Sequence, residues 1–215
     1  MGVDLEPDSQ FEKRLKEARQ WNDEELPQGI RRRVLSDYRV LQAVQREIRE
    51  LVKAQKAEIR DDSAPAAETM RKLLSLRAVG LRSSSVYAKE FFAWRKFRNR
   101  RQVGSLAGLC PTPYSSGKMQ HEHGISKAGN RWIRAIAVEL ALSWVRYQPK
   151  SALTTWYQKR ALRAGRRAHK TLIVALARKL LVELWKYLET GNPPQGAILL
   201  DWRAKVAGKY VVVSE

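Results

Sequence analysis

The chain has 215 residues with one cysteine, Cys110, and its 41 Lys and Arg against 22 Asp and Glu give a formal net charge of +19. A single cysteine excludes an internal disulfide framework and favours a cytoplasmic protein. The sequence has no apolar run long enough and free enough of charge to span a membrane, and its beginning has no signal-peptide core. The charge imbalance predicts a polyanionic partner, and it favours nucleic acid over a membrane surface because the basic segments have no large apolar face.

The N-terminal part of the sequence, residues 1–62, predicts two helices. Apolar residues at helical spacing predict a short helix between Pro7 and Gln20, and a longer pattern of roughly heptad spacing runs between Pro27 and Ile59. We interpret the segment as a helical hairpin or a short coiled coil. Two partners for the long helix stay open, the short helix before it or a second chain in a homo-oligomer. Its apolar positions are Ile30, Val34, Leu41, Val44, Ile48 and Leu51, with Asp37 in one core position.

A small, polar, proline-containing stretch at residues 61–67 predicts a linker, because the composition changes from mixed charge to basic after it. We expect residues 70–192 to form a helical, DNA-binding domain. Residues 193–215, which follow a glycine- and proline-rich stop, are expected to be a loosely ordered tail. The fold class predicted for the chain is therefore all-α.

A leucine-rich helical pattern begins the basic part and stops at the turn formed by residues 77–80, after which a second helix is predicted. A helix, a tight turn with glycine and a second helix are typical of a helix-hairpin-helix element, whose turn offers N–H groups to a phosphate. Ala78 stands where a glycine would allow a tighter turn. An ordinary helix–turn–helix corner is therefore the alternative interpretation.

Residues 91–101 mix aromatic rings with positive charge. We expect the rings to pack in the core rather than to stack on bases, because aromatic rings that stack on bases usually stand exposed on a platform. The cations are expected to contact backbone phosphates. The rings are Phe91, Phe92, Trp94 and Phe97, and the cations proposed to bind nucleic acid are Arg95, Arg98, Arg100 and Arg101.

Three further helices are predicted in the second half of the chain: from about Asn130 to Pro149, from Ser151 to Gly165, and from Ala168 to Glu189. The last of them begins next to a cluster of cations, which is unfavourable for the helix dipole unless an anion is bound there. The cations of this cluster that we expect to bind nucleic acid are Arg166, Arg167 and Lys170.

The central stretch, residues 108–134, has a different character. It places the pair Ser115 and Ser116 in a glycine- and proline-rich loop, and it continues through a second loop into a helix with arginines in its first turns. Helix N-termini and adjacent cations bind phosphate, so this stretch predicts a phosphate-handling site. The alternative interpretation is that the serines only form a turn, in which serine is common.

Several blocks in one order carry a family resemblance: FFAWRKFRNRRQVGSLAGL, GLCPTPYSSG, GISKAGNRWIR and KTLIVALARKLLVELWKYLETG. Together they resemble the C-terminal serine domain of bacterial insertion-sequence transposases. Members of that family have an N-terminal RuvC-like domain with four acidic residues, and several are guided by a bridge RNA. The resemblance covers nearly the whole chain, which makes it far more specific than one short motif.

The resemblance implies DNA transposition and recombination, in which a serine of the PYSSG loop attacks a DNA phosphodiester and forms a covalent phosphoserine. Ser116, directly before Gly117, is the favoured nucleophile, and Ser115 is the other candidate. Mg²⁺ is expected only with the RuvC-like domain, whose strand-rich sequence is absent before the first helices, so we expect this chain to bind no cofactor. Implied partners are DNA and a guide RNA. Residues expected to hold the phosphate oxygens are Lys127, Asn130, Arg131 and Arg134.

A second interpretation follows from the missing carboxylates: a truncated, non-catalytic helical module that binds DNA or RNA. A metal site is not predicted. Zinc sites show a C-x₂₋₄-C or H-x₃₋₅-H pair, whereas a single residue separates His121 from His123. The other residues considered as metal ligands were Cys110, Glu122 and His169.

Overall fold

The computed structural model describes residues 5–92, 96–116, 119–165 and 168–212, and within residues 112–123 it describes the backbone alone. The structure is mostly helical, which confirms the all-α prediction. The chain forms two compact units, residues 1–54 and residues 55–215. The domain limits derived from the sequence stay a prediction.

The first unit contains helix α1 (Phe11–Glu17) and most of helix α2 (Gln28–Glu58). The ring of Phe11 stacks on that of Tyr38, with 4.2 Å between the ring centroids, and the Tyr38 hydroxyl donates to the carbonyl oxygen of Asp8 at 2.6 Å. The first part of α2 therefore packs against α1. Further along, α2 exposes a row of large apolar side chains, so pairing with a second chain stays a prediction. The exposed row consists of Val40, Leu41, Val44, Ile48, Leu51 and Val52.

The second unit contains seven α-helices, one π-helix and one antiparallel β-hairpin among its described residues. The register of the hairpin pairs Ser115 with Gln120 and Ser116 with Met119, and it shifts between Pro111 and Thr112. The elements are α3 (Ala67–Ser75), α4 (Leu81–Val86), the π-helix (Tyr87–Phe92), α5 (Arg100–Leu106), β1 (Pro111–Ser116), β2 (Met119–Ile125), α6 (Arg131–Tyr147), α7 (Ala152–Ala164), α8 (His169–Thr190) and α9 (Trp202–Val206).

The core of the second unit forms where α6 and α8 pack against each other, with Trp144 and Leu180 fully buried. Phe91, Phe92 and Phe97 join this core, and the rings of Phe91 and Phe92 meet edge to face with 4.9 Å between centroids. The expectation that these rings pack inward is confirmed. Trp94, named with them, lies outside the described residues.

The helix ends follow the capping residues seen in the sequence. The Asn130 side chain accepts hydrogen bonds from the Trp132 and Ile133 amides at 2.9 and 3.2 Å, and α6 begins there. Ser151 caps α7 by accepting from the Leu153 amide at 3.3 Å. Helix α7 ends at Gly165, whose φ of 70° is a left-handed conformation that favours glycine. The three helices predicted after residue 128 are confirmed.

The serine stretch differs from the expected loop, because residues 111–116 and 119–125 pair as a β-hairpin. Proline and glycine in this stretch read as loop residues, and neither strand has the alternating apolar pattern that predicts a half-buried strand. A two-stranded ribbon needs no such alternation when it does not cover a core.

The segment after residue 193 was expected to be loosely held, yet Leu200 and Val206 are only 2% and 3% exposed. Its backbone is fixed by the buried side chain of Gln148, which donates to the carbonyl oxygen of Ile198 at 3.1 Å and accepts from the Ile198 amide at 2.6 Å. The Leu200 amide donates to the carbonyl oxygen of Ser75 at 2.7 Å. These contacts join residues far apart in the sequence, so local composition does not reveal them.

Lys205 of α9 forms hydrogen bonds with the C-terminal end of α3. Its ammonium group donates to the carbonyl oxygens of Leu74, Leu76 and Val79 at 2.9, 2.8 and 2.7 Å, and to that of Arg77 at 3.4 Å. These carbonyls include the C-terminal ones that a helix cannot satisfy by itself. Lys205 thus fixes the turn between α3 and α4, and whether that turn contacts phosphate stays a prediction.

Replacing Lys205 by methionine is expected to lower the free energy of unfolding at pH 7 by about 2 kcal/mol, because partly buried carbonyl oxygens lose their donor. Burial lowers the pKa of Lys205 from 10.5 to about 8. Between these pH values the unfolded chain binds more protons, so the native protein gains stability as the pH rises and the deficit of Lys205→Met grows. Urea unfolding at pH 7 and pH 9.5, with the exposed Lys209→Met as control, measures this. A deficit that shrinks with pH would contradict it.

Candidate nucleic-acid interface

A cleft of about 1360 Å³ lies between α5, the base of the β-hairpin and α8, and one residue of α7 also lines it. Its floor is aliphatic. The floor residues are Leu109, Leu153, Val174, Ala175 and Val182, and the base of the hairpin contributes Pro111, Gly124 and Ile125.

Seven cationic side chains line the same cleft. The lining residues in the described part of the chain include one carboxylate, Glu183. Its Oε1 forms an ion pair with the Nζ of Lys186 at 2.8 Å. A concave surface with charge of one sign focuses its field and attracts ions of the opposite sign. The cleft therefore favours a polyanion. Its cations are Arg100, Arg101, Lys127, Lys170, Arg178, Lys179 and Lys186.

The base of the hairpin is held by backbone hydrogen bonds between residues 126–130 and residues 106–110. The Ser126 amide donates to the carbonyl oxygen of Cys110 at 2.8 Å, and the Asn130 amide donates to that of Leu106 at 3.2 Å. Gly129 allows this close approach, because a Cβ at this position would lie 2.8 Å from the Gly108 nitrogen and closer still to the Leu106 carbonyl oxygen. This arrangement sets the position of Lys127 at the cleft.

Two residues expected to hold phosphate have structural contacts. Arg134 donates from Nη1 to the carbonyl oxygen of Lys127 at 3.1 Å, and it lies 3.4 Å from that of Ala107. The Asn130 side chain caps α6 with its oxygen. Arg131 is exposed, with its guanidinium 5.2 Å from the centre of the Trp132 ring. Arg134 and Asn130 thus hold the base of the hairpin together.

Helix α8 contributes cations that sequence reasoning missed. The side chain of Arg178 packs against Gly104 of α5, where an added Cβ would lie 3.0 Å from the arginine Nε. The Lys179 ammonium lies 4.9 Å from the centre of the Trp156 ring, a cation–π distance. A signal was present in the sequence, since Lys170, Arg178 and Lys186 recur at intervals of eight residues and therefore lie on one inclined i, i+4 ridge of the helix.

The structure brings four of the expected phosphate-binding residues together in the cleft: Arg100, Arg101, Lys127 and Lys170. Arg98 is exposed and precedes α5 without lining the cleft. The expected ligands Arg95, Arg166 and Arg167 lie outside the described residues.

Ser115 and Ser116 lie at the end of β1, and their side chains are outside the description. A strand rises about 3.3 Å per residue, so Ser116 is about 16 Å along β1 from Pro111, which lines the cleft. The described residues that line the cleft include neither serine. Lys127, Arg131 and Arg134 lie at the base of the hairpin, whereas the serines lie toward its tip.

For the residues with described side chains, the structure contains no group of three His, Cys, Asp or Glu that could hold a metal. His121, Glu122 and His123 lie outside this set, and Nδ1 of His169 is 3.0 Å from the hydroxyl of Tyr157. In the same described part, every helix is too short or too polar to cross a lipid bilayer.

The site thus defines a basic, mostly helical protein with a cation-lined cleft, the footprint expected of a protein that contacts a polyanion. Comparison with known proteins shows similarity to one family. Residues 70–156 match the family described as the Transposase IS116/IS110/IS902 family.

Three relatives agree with this match. The chain is 45% identical over 128 residues to the putative transposase y4rJ of Sinorhizobium fredii, covering 59% of this chain and 32% of the relative. It is 30% identical over 164 residues to a probable family 20 transposase of Pseudomonas aeruginosa, covering 75% and 46%. It is 32% identical over 126 residues to the transposase for insertion sequence element IS1111A of Coxiella burnetii, covering 58% and 34%.

These similarities support the transposase family, in agreement with the resemblance read from the sequence. The chain spans less than half the length of each of these relatives. The serine-domain assignment and the guide RNA stay predictions.

Proposed function

We propose that this chain is the nucleic-acid-binding part of an insertion-sequence transposase and acts in DNA transposition. The observation that carries the proposal is the convergence of cations from α5, the hairpin base and α8 on one cleft, where the one carboxylate of the described lining is paired. Such a surface binds phosphates through charge and counterion release. The similarity to transposases favours DNA as the polyanion.

We further propose that the hairpin carries the nucleophile, Ser116 or its neighbour Ser115. The serine Oγ gives its proton to a base and bonds to the phosphorus of a DNA phosphodiester, the bond from phosphorus to the leaving oxygen breaks, and that oxygen takes up a proton. A phosphoserine joins protein and DNA. A serine hydroxyl needs activation for this step. Mg²⁺ held by a RuvC-like domain would supply it, as the sequence resemblance implies.

We propose different roles for the serines and the cleft, because Ser116 lies about 16 Å along β1 from Pro111, the residue of β1 that lines the cleft. About 16 Å along the hairpin corresponds to about five base pairs at 3.4 Å each, so the cleft would hold phosphates that flank the scissile one. The cleft cations would position the strand, and the donors for the reacting phosphate would come from elsewhere. A second candidate function is a module that binds nucleic acid without catalysis, because the described residues that line the cleft include neither Ser115 nor Ser116.

The binding proposal is tested by removing cleft charge. The triple variant Arg101→Gln/Lys170→Gln/Lys186→Gln replaces exposed side chains that line the cleft. We expect its affinity for a labelled 30-base-pair DNA, measured by fluorescence anisotropy, to fall on the order of 100-fold at 0.1 M salt, and the slope of log affinity against log salt to decrease by about 3.

A matched control removes the same charge elsewhere: Arg82→Gln/Arg203→Gln/Lys209→Gln changes exposed cations that do not line the cleft. Its affinity is expected to stay within a few-fold of the native value, on the order of the effect of general charge. Equal losses in the two triple variants would show that the net charge alone binds DNA, and the proposal for the cleft would fail.

The serine proposal has its own test. The native chain, supplied with a RuvC-like domain, Mg²⁺ and labelled element-end DNA, is expected to give a covalent protein–DNA adduct on a denaturing gel. Ser116→Ala is expected to abolish the adduct, or Ser115→Ala if that serine is the nucleophile. The absence of an adduct with the native chain would favour the non-catalytic module. An adduct that persists in the double variant Ser115→Ala/Ser116→Ala would favour it as well.

A further inference from the structure

The face of α8 that lines the cleft alternates charge and aliphatic surface. Lys170, Val174, Arg178, Val182 and Lys186 recur every fourth residue, and all five line the cleft. Residues at this spacing form one ridge along a helix. With a rise of 1.5 Å and a turn of about 100° per residue, successive cations of the ridge are about 12 Å apart along the helix axis, with a valine about 6 Å along it from each, and the ridge winds gradually around the helix.

The aliphatic positions of the ridge continue into the floor formed by Leu109, Leu153 and Ala175. Val174 and Val182 are partly buried against the core, so they present part of their surface to the cleft. The cleft therefore offers two kinds of contact side by side: cations for phosphate, and apolar surface for a flat or apolar group.

A double helix has no exposed base faces that could contact the apolar surface of the cleft. Its base faces are stacked inside, and it presents phosphates, sugars and groove edges. An unpaired strand exposes both phosphates and base faces, and exposed base faces pack on aromatic side chains and also on apolar ones. An alternation of cations and valines thus matches an unpaired strand better than a duplex.

The cleft is large enough to hold more than one nucleotide. Its volume of about 1360 Å³ exceeds the range of about 300–1,000 Å³ typical of sites that enclose one small molecule. The ridge from Lys170 to Lys186 spans 16 residue steps, or about 24 Å of helix, which is long enough to follow a strand over several nucleotides.

We infer that the cleft between α5, the hairpin base and α8 takes a strand of unpaired nucleotides, with phosphates on Lys170, Arg178 and Lys186 and base faces on Val174 and Val182. The inference rests on the proposed function and narrows its ligand from nucleic acid in general to an unpaired strand. That strand is DNA opened at the element end or a single-stranded part of an RNA, which share this chemistry.

The first experiment compares ligands on the native chain. Fluorescence anisotropy at one salt concentration gives the affinities for a 12-nucleotide DNA strand, the RNA strand of the same sequence and the blunt 12-base-pair duplex. Unlabelled 12-residue oligoglutamate is the competitor that carries charge without bases. We expect at least one of the single strands to bind tenfold or more tightly than the duplex, and oligoglutamate to displace it poorly. The stronger of the two strands identifies the source.

The second experiment tests the apolar floor. Val174→Thr/Val182→Thr keeps the side-chain shape, and Val174→Gln/Val182→Gln adds polar groups; a thermal melt of each variant verifies that it is folded. Single-strand affinity is expected to fall several-fold in the Thr pair and tenfold or more in the Gln pair, with an unchanged salt slope. Leu142→Gln, at an exposed apolar residue outside the cleft, is the control and should bind normally.

The same strand with 2-aminopurine in its centre reports base contact directly, through a change in fluorescence on binding that the Gln pair should lose. Duplex binding as tight as single-strand binding, with native affinity in both valine pairs, would overturn the inference and leave the proposed function standing. Binding of none of the three nucleic acids at low salt would overturn both. Displacement by oligoglutamate as effective as by an unlabelled strand would also overturn the inference.

Discussion

Replacement of Gly129 by alanine is expected to lower the free energy of unfolding of the second unit by about 3 kcal/mol, because the added Cβ meets backbone that cannot rotate away. It would lie 2.8 Å from the Gly108 nitrogen and closer still to the Leu106 carbonyl oxygen. Relief of the clash requires residues 126–130 to move away from residues 106–110, which breaks the hydrogen bond between the Asn130 amide and Leu106.

The same displacement should reach the cleft, since Lys127 lines it from this segment. We therefore expect Gly129→Ala to weaken nucleic-acid binding even under conditions where the variant is fully folded. Urea unfolding followed by circular dichroism measures the stability, and fluorescence anisotropy measures the affinity.

Gly124→Ala is the matched control. Gly124 also lies at the base of the hairpin and lines the cleft, but an added Cβ there has no described atom within 4 Å. Its stability is expected to change by no more than about 0.5 kcal/mol, as at most surface positions. Equal effects of the two alanines would mean that the packing between residues 106–110 and 126–130 is not what holds the hairpin base.

Replacement of Gln148 by leucine is expected to cost about 3 kcal/mol, because it leaves both the N–H and the C=O of Ile198 without their partner in a partly buried place. The leucine has a similar volume, so the loss reports on hydrogen bonds rather than on a cavity. The segment after residue 193 should then open more often, and limited proteolysis should cut it faster than in the native chain.

Gln158→Leu is the control for this experiment, since Gln158 is exposed on α7. Its stability should stay within about 0.5 kcal/mol of the native value. If Gln148→Leu melted like the control, with unchanged proteolysis after residue 193, then the contacts of Leu200 and Val206 alone would hold that segment.

The helices could be predicted from the sequence because their signals are local. Pro149 marked the end of α6, a serine cap and a stopping glycine marked the ends of α7, and apolar spacing marked the buried face of α6. The transposase resemblance was also accessible, since it depends on blocks of sequence rather than on contacts.

What the sequence did not predict depends on contacts between distant segments. The bonds between Gln148 and Ile198 join residues 50 positions apart, and the β-hairpin forms from strands without an alternating apolar pattern. The cleft forms only when α5 and α8 lie side by side. Arg100 and Lys186, which are 86 positions apart in the sequence, therefore line one cleft only in the folded chain. Whether the serines act on DNA stays a prediction.

Lys205 has a consequence for the order in which the chain can fold during synthesis. Its ammonium bonds to the Leu74 carbonyl across 131 residues, so this donor reaches the turn after α3 only once residue 205 has been synthesised. At about 5–20 residues per second, that interval is on the order of ten seconds. During that time water donates to the last carbonyls of α3 and its turn, and contacts this far apart in sequence form slowly. The turn between α3 and α4 therefore reaches its final structure later than the helices that it joins.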